Sequence, residues 1–164
     1  MSVFLKYFGA VCITACALIT SRSYTRYIKR RVGECECFCR LAERIESMIK
    51  CYLSPVGDIF SGFECGERAV MDFVTEVRRG VPLKEAYIAA EKKLSVAAEA
   101  KRILSELFST LGHGYKDGVL KLVSEAREEL EKHLASEREE GEKNSKLALA
   151  LLFGGAVGIL LLFI

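Results

Sequence analysis

The chain of 164 residues has no tryptophan, only two prolines and only two histidines. With so few prolines, and with Ala, Leu, Glu, Lys and Arg abundant, the composition favours helix. Alternating β-branched runs bounded by turn residues are also missing, which argues against a sheet. A large excess of one charge is absent as well. The net charge of +2 is too small to mark a nucleic-acid binder, and its distribution says more than its sum. An even cysteine count is lacking too. The seven cysteines are odd in number and two fall in the first apolar stretch, so they imply no disulfide framework.

Cys35, Cys37 and Cys39 lie close enough in sequence to raise the question of a metal. On a helix, however, Cys35 and Cys39 share a face while Cys37 points away, and no second ligand pair completes a tetrahedral set. Small core residues in a reducing compartment are the expectation, with no metal and no cofactor.

What the chain does have is two apolar ends. Leu147 to Ile164 carries no charged residue, and at about 1.5 Å rise per residue it would reach roughly 27 Å, close to the hydrocarbon thickness of a bilayer. Residues 1–20 are apolar apart from Lys6, which can extend its ammonium toward headgroups. Both are expected to be transmembrane helices. The competing reading of the first stretch is a cleaved signal, with Ile13-Thr14-Ala15-Cys16 resembling a lipoprotein box. Residues 21–31 form a basic linker holding Arg22, Arg26, Lys29, Arg30 and Arg31, with no acid before Glu34. By the positive-inside rule this flank stays cytoplasmic, as do Arg138, Lys143 and Lys146, which places both termini outside the cytoplasm. Beside a span, such a run fits lipid headgroups better than nucleic acid.

Residues 32–146 should form one all-α domain of about six helices. A helical stripe runs through Cys35, Phe38, Cys39, Ala42, Ile45, Met48, Ile49 and Tyr52. Ser54-Pro55 opens a short second helix from Val56 to Phe63. The third carries Ala69, Val70, Phe73, Val74 and Val77 and ends at Gly80. The fourth starts at Val81-Pro82, the fifth is capped by Ser95 and stopped by Gly112, and the sixth carries Val119, Leu122, Val123, Ala126, Leu130 and Leu134. Beyond Leu134 the sixth turns polar on all sides and continues into the last span.

Chemistry-bearing groups are sparse. Ser109, His113 and Asp117 are spaced by four, but Gly112 and Gly114 interrupt the helix that would align them, and no catalytic site is expected. Clustered charge offers better ground for partner binding. Arg78, Arg79, Lys92 and Lys93 lie at helix ends where they could direct encounter with an acidic surface. In the last span, Ala150, Gly154 and Gly158 form a small-residue ridge on which another helix could pack, from the first span or from another subunit.

Taken together, the basic exit YTRYIKRR, the helix opening SPVGDIF, the segment VPLKEAYIAAEKKL, the stop LFSTLG and the ending EEGEKNSKLALALLFGGAVGILLLFI resemble one family. That family is the stage III sporulation protein AB of endospore-forming bacteria. The ending carries the resemblance best, with Lys143-Asn144, an aliphatic stretch and Gly154-Gly155 before the final aliphatic run. The resemblance implies a soluble part like the helical F-domain of type II secretion and type IV pilus platforms. It further implies a place in the mother-cell membrane, in a secretion-like channel to the forespore. Its implied partners are a cytoplasmic secretion-type ATPase, other membrane subunits of the channel and the lipid bilayer, with a second copy of the chain as a further candidate. A rival from another class is a membrane-anchored helical regulator or sensor.

Overall fold

The computed structural model describes residues 2–52, 56–111 and 116–163, of which residues 2–14, 17, 51–52, 56–57, 116–117, 148–149, 151–153 and 156–163 are described by their backbone alone. Among the described residues there are six helices and no strand. They are α1 (Ser2–Tyr52), α2 (Val56–Phe60), α3 (Arg68–Arg78), α4 (Leu83–Glu91), α5 (Ala98–Thr110) and α6 (Lys116–Phe163). The all-α expectation holds. The basic stretch at 21–31 is no break in the chain, because α1 runs through it without interruption. Nothing in α1 or α6 opposes such length: neither contains proline. The expected cap at Ser54 and the stop at Gly112 lie outside the described residues.

Two units make up the chain, one of residues 30–137 and one of residues 1–29 with 138–164. The first is a helical bundle built around aromatic rings, one from each of its first five helical segments. Phe73 of α3 stands at the centre, with ring centroids 6.2 Å from Phe38 of α1, 6.0 Å from Phe60 of α2, 6.1 Å from Tyr87 of α4 and 4.9 Å from Phe108 of α5. These tilted and edge-on contacts suit the ring quadrupoles. Tyr87 is buried as well, and its hydroxyl is satisfied by donating to the Lys101 carbonyl at 3.0 Å. On α6, Val123, Leu130 and Leu134 are buried, and the Cys35 thiol donates to the Leu130 carbonyl.

The middle of α1 is buried almost all round rather than on one stripe. Cys35, Cys37, Phe38, Cys39, Leu41, Ala42 and Ile45 are all in the core. Cys37, off the face shared by Cys35 and Cys39, is buried as well, since neighbours pack on more than one face of the helix. Three buried carboxylates accompany this segment. Glu34 accepts hydrogen bonds from the Ser95 and Val96 amides at 2.5 and 3.2 Å and from Arg30 Nε at 2.8 Å. Ser95 does not cap α5, which begins only at Ala98; its amide is instead held by α1. Glu46 takes Lys50 at 2.5 Å and Arg127 at 3.0 Å, and Glu137 takes Arg31 at 2.5 Å and His133 at 3.1 Å. Such charges are tolerable in a core because each is paired.

The second unit pairs the start of α1 with the end of α6. A Cβ on Gly141 would come within 2.9 Å of Ile28 Cγ2, so the two helices approach closely there. One turn further along α6, the Asn144 amide donates to the Tyr24 hydroxyl at 3.1 Å. The stretch of α6 beyond Leu134 is therefore not polar and solvated on every side: Glu137 is buried, and Gly141 and Asn144 face α1. The side chains of most residues in the two apolar ends lie outside the described ones. Among the described residues no helix is long and apolar enough to cross a membrane.

Candidate functional site

The residues singled out at the end of α3 and after α4 meet a specific piece of local structure. Gly80 adopts φ +89°, its amide donates to the Val77 carbonyl, and the Val81 amide reaches back to the Glu76 carbonyl at 3.2 Å. That paired pattern closes α3 with a left-handed glycine, and Pro82 follows as the residue that opens α4. The tight turn brings α3 and α4 side by side, with a groove of about 430 Å³ between them. Phe73, Ala86 and Ala90 are the buried part of its lining. Alanines at 86, 89 and 90 keep the α4 wall low, so the groove stays open.

Charge sits on both rims. Arg79 pairs with Glu76 at 2.6 Å, and Lys93 lies 4.0 Å from Asp72. Arg79 and Lys93, separated in sequence by α4, thus line one groove together with Asp72, Glu76 and Glu85. Arg78 does not join them. Its guanidinium donates to the Phe60 carbonyl at 2.9 Å and the Phe63 carbonyl at 2.6 Å, the first at the end of α2 and the second in the turn that follows. Lys92 is exposed and outside the lining of the groove. A second depression, of about 490 Å³ along α5, is lined largely by charged and polar side chains such as Lys101, Arg102 and Glu106, and has no buried ring beneath it.

Sequence spacing could nominate the four cations but not sort them. Asp72, Glu76, Glu85 and the low alanine wall were missed, and the alanine pair Ala89-Ala90 was the available signal.

The remaining candidates fall elsewhere. Ser109 donates to the Glu106 carbonyl within its own helix, while the side chains of His113 and Asp117 lie outside the described residues. Among the described residues no group of three metal-ligating side chains is assembled. Burial, together with a hydrogen bond to Cys65, pushes the Cys37 thiol up to about 11, and a hydrogen bond with Cys39 followed by burial raises Cys35, so both are held as neutral thiols. Ala150 and Gly154 are exposed, with nothing within 4 Å of a Cβ placed on Gly154 among the described residues; Gly158 is described by its backbone alone, within α6.

The family model for stage III sporulation protein AB matches residues 6–164. The chain belongs to this family. Its role is accordingly in stage III of sporulation. No curated protein and no solved structure is significantly similar to the chain.

Proposed function

We propose that this member of the stage III sporulation protein AB family is a non-enzymatic platform protein. In this reading the terminal apolar stretches are transmembrane helices in the mother-cell membrane facing the forespore. The bundle lies in the cytoplasm, resembles the F-domain of type II secretion and type IV pilus platforms, and docks a secretion-type ATPase. The observation that carries the docking role is the α3–α4 groove, whose buried lining and mixed-charge rims suit a protein surface. Interfaces of this kind place apolar residues at the centre and charge at the edge, where it directs approach. The family's place in sporulation and the basic flanks of the apolar ends support the rest.

The test is co-purification of a secretion-type ATPase with the tagged chain from sporulating cells. Arg79→Glu with Lys93→Glu, and separately Ala89→Arg as a wedge, should each abolish the association while the bundle still folds. Retention of the ATPase by both variants would refute docking at this groove. Orientation is checked at Cys65, which is partly exposed; Cys51, the other labelling position, has its side chain outside the described residues. Modification of Cys65 by an impermeant maleimide added to intact cells would overturn the cytoplasmic placement. A regulator or sensor would instead retain a small ligand and show no ATPase.

A further inference from the structure

We infer that the unit formed by residues 1–29 and 138–164 carries a binding band for anionic phospholipid headgroups, made by Arg22, Arg26 and Lys29 of α1. The inference rests on the reading of the apolar ends as membrane-spanning, and it is independent of the ATPase.

The three cations are spaced by four and three, so they share one face of the helix. All three are exposed, and none forms an ion pair with a described residue. Their neighbours differ in this respect. Lys143 is taken by Glu139 at 2.7 Å and Lys146 lies 4.0 Å from Glu142. Arg30 and Arg31 of the bundle are committed to Glu34 and Glu137. Uncompensated charge is therefore concentrated on one stripe.

That stripe has a direction. Leu18, one turn before Arg22 on the same face, is 52% exposed, and Ile19 beside it is 66% exposed. If Leu18 and Ile19 face lipid tails, Arg22 stands about 6 Å and Arg26 about 12 Å farther along the axis. The headgroup layer is roughly 5–7 Å deep, and a long Arg side chain can bend back into it, which brings Arg22 and Arg26 within reach of phosphates. Lys29, about 16.5 Å along, adds its charge to the attraction within about a Debye length of the surface. Arg offers a fork of donors that matches a phosphate's oxygens. Tyr24 and Tyr27, also exposed, place amphipathic rings at the same level. A zwitterionic headgroup brings its own ammonium to each phosphate, whereas an anionic one leaves its charge to the protein, so selectivity for anionic lipid follows.

The experiment reconstitutes the full chain into phosphatidylcholine vesicles containing phosphatidylglycerol, with spin-labelled versions of each lipid reporting which one occupies the shell around the protein. The expected preference for phosphatidylglycerol is about fivefold for each cation in contact with a headgroup, and it should weaken in high salt. Arg22→Gln/Arg26→Gln/Lys29→Gln should bring the ratio near one, and each single change should lower it partway. Lys143→Gln/Lys146→Gln, which removes only cations flanked by acids, should leave it unchanged. No preference in the unaltered chain, or an equal one in the triple variant, would overturn the inference. So would retention of the chain on single-stranded RNA lost with the same three residues while lipid preference persists. Complete extraction by alkaline carbonate would sink the membrane reading and this inference with it. Loss of ATPase association with lipid preference intact would sink the platform reading alone.

Discussion

The two units place their large apolar side chains in opposite ways. In residues 30–137 they are inside and even charges are buried in pairs, so that among the described residues of this unit Ile88 alone is an exposed large hydrophobic. In the unit of residues 1–29 and 138–164, Leu18, Ile19, Tyr24, Tyr27 and Leu147 are all exposed, and the helices meet through Gly141 and an Asn–Tyr hydrogen bond. The contrast teaches that one helix can pack in two ways. The same α1 packs cysteines and phenylalanine inward in the bundle, then presents leucine, tyrosine and arginine outward in the other unit. Burial of apolar area drives the first arrangement. The second is joined through the close approach at Gly141 and a side-chain hydrogen bond.

The largest test of this contrast is Phe73→Ala. Removing the ring that touches four others should cost the bundle about 3–5 kcal/mol, read as a lower denaturation midpoint of the full chain in mild detergent. Slightly smaller, about 3 kcal/mol, is the effect expected of Glu34→Ala, which strands the Ser95 and Val96 amides and takes from Arg30 one partner, leaving it the Lys93 carbonyl and water. Arg78→Ala should cost about 2 kcal/mol by removing two hydrogen bonds to charged nitrogen, one to the Phe63 carbonyl and one to the Phe60 carbonyl, which keeps only the Phe63 amide at 3.4 Å. If it proved neutral for folding yet abolished ATPase association, Arg78 would return to the docking surface.

Acid gives a gentler probe. The hydrogen bond from Lys50, and then the charges of Lys50 and Arg127, hold the Glu46 carboxyl below the ordinary carboxylate range. Its contribution is therefore complete at neutral pH and is lost as pH falls through that depressed value. Glu46→Gln should flatten the stability profile below about pH 4.5, the unfolded value, in a pH series of denaturant melts. The smallest effect on the bundle should come from Gly141→Leu. Its side chain would collide with Ile28, so a cross-link between Tyr24→Cys and Asn144→Cys should form less readily, with the melt of residues 30–137 unchanged. A large loss of bundle stability would show that the two units do not answer to separate rules.

Much of the bundle was legible because helical periodicity and helix stops are local. The stripe in α3, its end at Gly80 and the opening of α4 after Pro82 could all be read residue by residue. The docking candidates were legible only as charges at helix ends. Whether a cation turns to a carbonyl, as Arg78 does, or to a groove, as Arg79 and Lys93 do, depends on which helix lies beside it. Ser95 failed as a cap for the same reason, since a carboxylate distant in sequence took its amide.

By itself, then, the sequence determined helix as the repeating element, the positions of the main stops, the apolar ends with their basic flank, and the family. Each of these is a property of neighbouring residues. Tertiary structure alone decided that α1 is central and buried on more than one face around Cys37, that three carboxylates are held in the core by partners far along the chain, and that three arginine and lysine side chains on one face are left without an acid among the described residues. Those outcomes depend on which distant groups meet, because the energy of a buried or unpaired charge is set by its surroundings and not by its own spacing.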